Sequence, residues 1–308
     1  MILTVTLNAA LDITYRVPRL HPHATNRVTE VSERPGGKGL NVARVLAALG
    51  HRTVATGFAG GGTGTALRAL LAETGVTDAL VPVGGTTRRT VAVVDAAGGD
   101  TTQLNEPGPT VSPAEWDTFL GTYRELLADA RAVALCGSLP PGVPVDVYAR
   151  LIRAARSAGV PVLLDTSGEP LRRGLAARPD LTKPNAEELA ALTGSTEPLR
   201  AARDARRRGA HAVAASLGPA GMLAVTADGT WQATPPRQIA GNPTGAGDSA
   251  VAGLLSGLVE DLPWPDRLTR AVALSAATVR APAAGEFDTA TYEELLPRVV
   301  VTDHPSAA

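Results

Sequence analysis

Gly241-Asn242-Pro243-Thr244-Gly245-Ala246-Gly247-Asp248-Ser249-Ala250-Val251-Ala252-Gly253-Leu254-Leu255 joins a glycine-rich turn to an apolar run. Pro243 and the glycines forbid regular structure before Gly245, whereas small and apolar residues from Asp248 to Leu258 recur at helical spacing. A loop feeding a helix in this way presents backbone N–H groups without intrahelical partners, and the helix dipole adds partial positive charge. Gly245, Ala246 and Gly247 therefore read as an anion site suited to a phosphoryl group in flight. Asp248 stands beside that site, where a carboxylate repels phosphate unless its task is to accept a proton from the attacking hydroxyl. In isolation a Gly-x-Gly-Asp run is more often an ordinary helix N-terminal carboxylate, so the remainder of the chain decides.

With 308 residues, 44% of them hydrophobic, the chain can bury one large core or two modest ones. A net charge of -1 gives no general attraction to nucleic acid or an anionic membrane, and no apolar run is long enough to span a bilayer. The opening Met1-Ile2-Leu3-Thr4-Val5 reads as a strand, and the single Cys136 cannot form an internal disulfide; both lead to the expectation of a cytoplasmic protein. The five histidines include one close pair with no cysteine or acidic cluster beside it, which argues against structural zinc. Of the 29 basic residues two are lysine, Lys38 and Lys183, and the other 27 are arginine. Where arginine serves almost every cationic position, the two surviving ammonium groups point to crowded phosphate sites that a planar guanidinium would not fit.

Ile2 to Leu7 predicts a buried strand ending in Asn8-Ala9-Ala10-Leu11-Asp12, which places Asp12 at a strand's C-terminal end, where ligands collect in open α/β sheets. A hydroxyl-binding carboxylate and a turn aspartate both fit that position. Ile13 to Arg34 has no helical period and reads as an excursion of exposed strands. It leads into Pro35-Gly36-Gly37-Lys38-Gly39-Leu40-Asn41-Val42-Ala43-Arg44, where three glycines and a lysine enter a helix closed by Gly50. The Walker spacing is absent, and no strand is expected immediately before these glycines.

Further βα steps follow. A strand pair at 90–95 and 101–105 has Arg88 at its base, either covering a substrate or simply exposed. Ser112-Pro113-Ala114-Glu115 is a capping box opening a helix to about Ala130; the strand 132–136 ends in the rigid loop Gly137-Ser138-Leu139-Pro140-Pro141-Gly142; a helix 145–158 and a strand 160–165 come next. In Lys183-Pro184-Asn185-Ala186-Glu187-Glu188, Asn185 and Glu188 lie three apart, a spacing that suits a hydrated Mg²⁺ or, equally, a helix N-cap pair. The strand 212–216 ends in Ser216-Leu217-Gly218-Pro219-Ala220-Gly221, a glycine-bracketed loop able to lie against a nucleotide. Helices at 266–280 and 289–296 end the chain, with a frayed tail from Thr302. No repeat or linker divides the sequence.

Together these stretches resemble the ribokinase-like sugar kinases of the phosphofructokinase B family over essentially the whole chain. The Pro35–Ala43 and Asn242–Ser249 stretches resemble the family's two signatures, Lys183-Pro184-Asn185 with Glu188 its magnesium-associated motif, and Ser216–Gly221 its nucleotide loop. The resemblance implies a single kinase domain over 1–308: an α/β/α sandwich around a mostly parallel sheet, with a small β-lid from insertions at about 13–34 and 86–105. It implies a homodimer through that lid, and transfer of the γ-phosphoryl group of ATP, with Mg²⁺, to a sugar hydroxyl. In this picture Asp248 is the base, Gly245, Ala246 and Gly247 form the anion hole, and Asp12, Gly37, Asn41 and Ser138 meet the sugar. Lys183, Asn185, Ser216, Gly218 and Gly221 meet the nucleotide, and Glu188 with Asn185 holds Mg²⁺ through water.

The runs at 7–12, 36–39 and 137–142 most resemble the branch acting on ketohexose phosphates, the 1-phosphofructokinases and tagatose-6-phosphate kinases. Lys38, Arg88 and Arg27 would then surround the substrate phosphate. Fructose-1-phosphate is the expected substrate, with tagatose-6-phosphate and fructose-6-phosphate as alternatives and a non-catalytic sugar-phosphate sensor as the rival from another class. Two positions depart from the pattern: Asn242-Pro243 stands where Asp-Thr is usual, and Ala9 where proline is usual.

Overall fold

A computed structural model describes residues 1–303. The strands are β1 (Ile2–Thr6), β2 (Ala10–Val17), β3 (Glu30–Gly36), β4 (Thr53–Ala59), β5 (Thr77–Pro82), β6 (Arg88–Asp95), β7 (Thr101–Asn105), β8 (Ala132–Cys136), β9 (Val162–Asp165), β10 (Leu181–Thr182), β11 (Ala212–Ser216), β12 (Met222–Val225), β13 (Thr230–Thr234) and β14 (Val300–Asp303). The helices are α1 (Lys38–Ala48), α2 (Gly61–Ala72), α3 (Pro113–Leu127), α4 (Val147–Ser157), α5 (Gly168–Leu175), α6 (Ala186–Thr193), α7 (Pro198–Arg207), α8 (Ala246–Val259), α9 (Trp264–Thr278) and α10 (Thr289–Leu295).

Ten strands form one sheet in the order β14-β13-β12-β11-β10-β9-β8-β1-β4-β5, and from β11 to β5 all neighbours are parallel. Alternate residues of each strand feed opposite cores. In β8, Val133 and Leu135 pack with α3, α4 and α7, whereas Ala132, Ala134 and Cys136 pack with α1, α8 and α9. Near-continuous apolar strands are what a sheet covered on both faces requires. The α3 helix shows the other half of the bargain: Trp116, Phe119, Tyr123 and Leu127 recur on one stripe and are buried, each large apolar side chain contributing roughly 2 kcal/mol. Ser112 and Glu115 close the expected capping box at its start.

β1 sits centrally, with β4 on one side and β8 on the other, so the chain reverses its direction of travel across the sheet between β1 and β8. A crevice opens at such a reversal, outside the carboxyl ends of the strands. A second sheet, β3-β2-β6-β7, stands apart from the first and is built from the 10–36 and 88–105 stretches, which overlap the two excursions read in the sequence.

Three details differ from the sequence reading. Asp12 does not end a strand of the main sheet; it is the third residue of β2 in the small sheet, in register with Arg34 and Thr90. The glycines at 36–39 do follow a strand directly, because β3 runs to Gly36; its charged, alternating sequence masks an edge strand. Thr302 pairs with Gln232 in the outermost strand instead of fraying, and the rest of that tail lies outside the described residues.

Candidate active site

Two helices point uncapped N-termini into the crevice. Gly37, at φ 103°, precedes α1, and Gly245, at φ 85°, precedes α8; neither helix start has a side-chain cap. Left-handed backbone at both positions favours glycine, and at Gly245 a Cβ would also approach the Ala284 backbone to 2.7 Å. Ala246 N–H already donates to the Pro243 carbonyl at 3.1 Å, a turn that the sequence does not announce. Among the described residues the Gly245 and Gly247 amides have no protein acceptor, which leaves them free to meet an anion.

Asp248 lies in the first turn of α8 and is 7% exposed. Its Oδ2 accepts from Asn41 Nδ2 of α1 at 2.9 Å, so one hydrogen bond joins the two glycine corners of the sequence. Burial, and then the nearby Asp165, push the Asp248 carboxyl up to about 6, while Lys38, Asn41 and Lys183 pull the other way. A carboxylate tuned to that range is ionised at neutral pH yet basic enough to take a proton.

Asp165, at the end of β9, was not singled out by the sequence, although a carboxylate closing the apolar run Val160-Pro161-Val162-Leu163-Leu164 carries the same signal used for Asp12. It is 1% exposed and contacts both lysines: Lys38 Nζ at 3.3 Å and Lys183 Nζ at 3.3 Å. Burial opposes the Lys38 charge, but Asp165, Asp248 and Glu188 outweigh it and hold the ammonium above its ordinary range. Lys183 Nζ lies 3.6 Å from where a Cβ on Gly247 would stand, so the bare α8 start and this ammonium face one another.

A cavity of about 200 Å³ at the reversal point is lined by Thr6, Asn8, Gly37, Lys38, Arg88 and Ser138, among others. Asn8 Nδ2 donates to Ser138 Oγ at 3.2 Å and ties β1 to the loop after β8. Arg88 reaches in from β6 and donates to the Asn8 and Glu106 carbonyls. Asp12 stands near Arg88, with Gly36 so close that a Cβ there would overlap its carboxyl group; burial pushes Asp12 up to about 6 against Thr90, Arg88 and Arg44. Arg27 is not brought to this cavity; it is exposed in the connection between β2 and β3.

On the other side of Gly247 a cavity of about 560 Å³ is lined by Asn185, Ser216, Gly218, Gly221, Ala246 and Gly247, together with the 235–243 segment and α9. Asn185 and Glu188 form a reciprocal capping box, Asn185 Oδ1 accepting from Glu188 N at 2.7 Å and Glu188 Oε2 from Asn185 N at 2.8 Å. The N-cap reading of this pair thus holds. Among the described residues Glu188 Oε1 has no hydrogen-bond partner, which leaves room for a water of a hydrated metal ion but not for an all-protein cage, and those residues hold no cluster of three or more metal ligands. A separate groove lined by Arg203, Arg206 and Arg207 lies by the β12–β13 turn; Arg206 caps carbonyls there and Arg207 pairs with Asp204.

The profile of the pfkB family carbohydrate kinases matches residues 5–290. The chain is 42% identical over 283 residues to a 1-phosphofructokinase from Rhodobacter capsulatus, covering 89% of this chain and 90% of that one. It superposes on phosphofructokinase-2 from Escherichia coli in complex with fructose-6-phosphate with a TM-score of 0.86, 32% identity and coverage of 96% of this chain and 98% of the other. It superposes on ribokinase from Arabidopsis thaliana complexed with ribose and ATP with a TM-score of 0.75, 25% identity and coverage of 96% and 98%.

Proposed function

Because the chain belongs to the pfkB family of carbohydrate kinases, we propose that it transfers the γ-phosphoryl group of ATP to the 6-hydroxyl of fructose-1-phosphate. The kinase works as one unit over the whole chain, with the small sheet as its lid. The observation that carries this reading is the pairing of Asp248 with an uncapped α8 start, between a small cavity lined by Lys38 and Arg88 and a larger one lined by the glycine loop at 218–221. The 42% identity to a protein named 1-phosphofructokinase favours fructose-1-phosphate over its isomers.

In this mechanism the sugar lies in the smaller cavity, with hydroxyls on Asp12, Gly37, Asn41 and Ser138 and its phosphate toward Arg88. The Asp248 carboxylate takes the proton from the 6-hydroxyl as that oxygen bonds to the γ-phosphorus, and the bond from phosphorus to the bridging oxygen of ADP breaks. Gly245 and Gly247 amides, with Lys38 and Lys183, meet the charge on the transferring group. Ser216, Gly218, Gly221 and Asn185 bound the nucleotide. Glu188, with Asn185, would hold Mg²⁺ through water, and the ion would neutralise phosphate charge.

The position of Lys38 modifies one expectation. Its ammonium meets Asp165 together with Lys183, so it is better suited to the transferring phosphoryl than to the remote sugar phosphate, which falls to Arg88.

Coupled ADP release measured with fructose-1-phosphate, fructose-6-phosphate and tagatose-6-phosphate tests the assignment. The highest kcat/KM is expected with fructose-1-phosphate. A preference for either isomer would move the substrate, and binding of any of them without ADP release would favour a sensor.

The lid also supports a homodimer. Val31 of β3 and Leu104 of β7 are 57% and 59% exposed, and their register neighbours Tyr15, Val93, Ile13 and Val91 share that face. A second copy covering it would remove this apolar surface from water. Sedimentation at micromolar protein is expected to give a dimer that Leu104→Glu weakens; a monomeric wild type would contradict the arrangement. No helix among the described residues is long and apolar enough to cross a membrane, in keeping with a cytoplasmic sugar kinase.

A further inference from the structure

The chain keeps two lysines, and in the fold both ammonium groups converge on a single carboxylate. Asp165 Oδ2 faces Lys38 and Oδ1 faces Lys183, each at 3.3 Å, and among the described residues neither oxygen accepts a hydrogen bond from any other group. A buried carboxylate ordinarily gathers backbone or hydroxyl donors to offset lost hydration. This one has none, so its interaction is directed wholly at the two cations. They come from opposite sides of the crevice: Lys38 opens α1 and lines the smaller cavity, and Lys183 follows β10, buried against Gly247 of the larger one. Long lysine side chains have high rotamer freedom, and a fixed anion between them removes it before substrate arrives.

We propose that Asp165 is a positioning residue that acts through Lys38 and Lys183, fixing the spacing of the sugar-side and nucleotide-side cations across the path of the transferred phosphoryl group. The inference rests on the kinase reading and adds to it a residue outside the two glycine corners. Asp165 touches neither substrate in this arrangement. Its effect is seen in both lysines at once.

Asp165→Asn keeps the shape and removes the charge. It is expected to lower kcat at least about tenfold, the loss expected when a charge-assisted contact to the transferring group goes, with smaller changes in either KM. A second readout separates positioning from mere folding. Asp248 is faced by Asp165 from β9, by Lys38 and Asn41 from α1, by Lys183 after β10 and by Cys136 from β8. Removing the Asp165 charge deletes the anion that pushes Asp248 up and frees both ammonium groups to stabilise its ionised form, so the acid limb of kcat/KM moves to lower pH. A damaged fold lowers activity without moving that limb in this direction.

Asp165→Glu covers the case in which the asparagine variant does not fold: it retains the charge but displaces it by one methylene, so kcat falls while the acid limb stays near its wild-type position. Wild-type kcat in a folded Asp165→Asn enzyme, or in Asp165→Glu, would overturn the proposal. Neither result would touch the kinase reading, which fails only if the wild-type protein releases no ADP with any ketohexose phosphate.

Discussion

Asp248→Ala is expected to lower kcat at least about a thousandfold while changing KM for either substrate only modestly, the range seen when a general base is lost together with its positioning role. The side chain is buried in the first turn of α8, held by Asn41, and surrounded by charges of both signs. Truncation removes the proposed proton acceptor and leaves every residue of the preceding glycine turn in place. The sign of the pH dependence follows from the direction of the shift. With the carboxyl pushed up to about 6, the base is ionised above that pH and protonated below it. Wild-type kcat/KM should therefore fall tenfold per unit as pH drops below about 6. In Asp248→Ala the residual rate should lose that limb. Near-wild-type turnover of the variant in a coupled ADP assay would reject the assignment.

Lys38→Ala is expected to have the next largest effect, a fall in kcat of roughly a hundredfold, as when one donor to a transferring group is removed. Its ammonium is the exposed member of the Lys38, Asp165, Lys183 triad, with 40% of the side chain accessible against 5% for Lys183, so it can turn toward an incoming phosphate. Removing it should also raise the Asp248 carboxyl further, because Lys38 is the first of the groups that pull it down. The acid limb of kcat/KM then moves to higher pH, opposite to the change expected for Asp165→Asn. Lys38→Arg restores the charge but sets a planar fork where a compact ion stood, and should recover only part of the loss. An unchanged kcat with a raised KM for the sugar phosphate would return Lys38 to the remote phosphate.

The parts of this site that were legible in the sequence are those where chemistry and local structure coincide. Glycine turns before Lys38 and Asp248 could be read because only a left-handed or bare backbone explains them, and both turns have positive φ in the fold. Loops after β8 and β11 could be read because ligands gather at the carboxyl ends of parallel strands. Asp12 was harder. Its strand belongs to a second sheet, and nothing local in Ala10-Leu11-Asp12-Ile13 separates a strand that joins the main sheet from one that leaves it. Asp165 was missed for a related reason: its meaning comes from two lysines at positions 38 and 183, brought together only by the order of β1, β8, β9 and β10. The Asn185 and Glu188 pair shows a converse limit. Its spacing fitted a cap and a metal site alike, and the capping box uses just one of the Glu188 oxygens.

In the proposed mechanism the 36–41 corner and the 245–248 corner enclose one reacting hydroxyl. A crystal structure with fructose-1-phosphate and a non-hydrolysable ATP analogue measures this directly. The 6-hydroxyl oxygen is expected within hydrogen-bonding distance of an Asp248 carboxylate oxygen, the sugar phosphate against Arg88, and the γ-phosphate at the Gly247 amide. A sugar bound with every hydroxyl out of reach of Asp248 would contradict it.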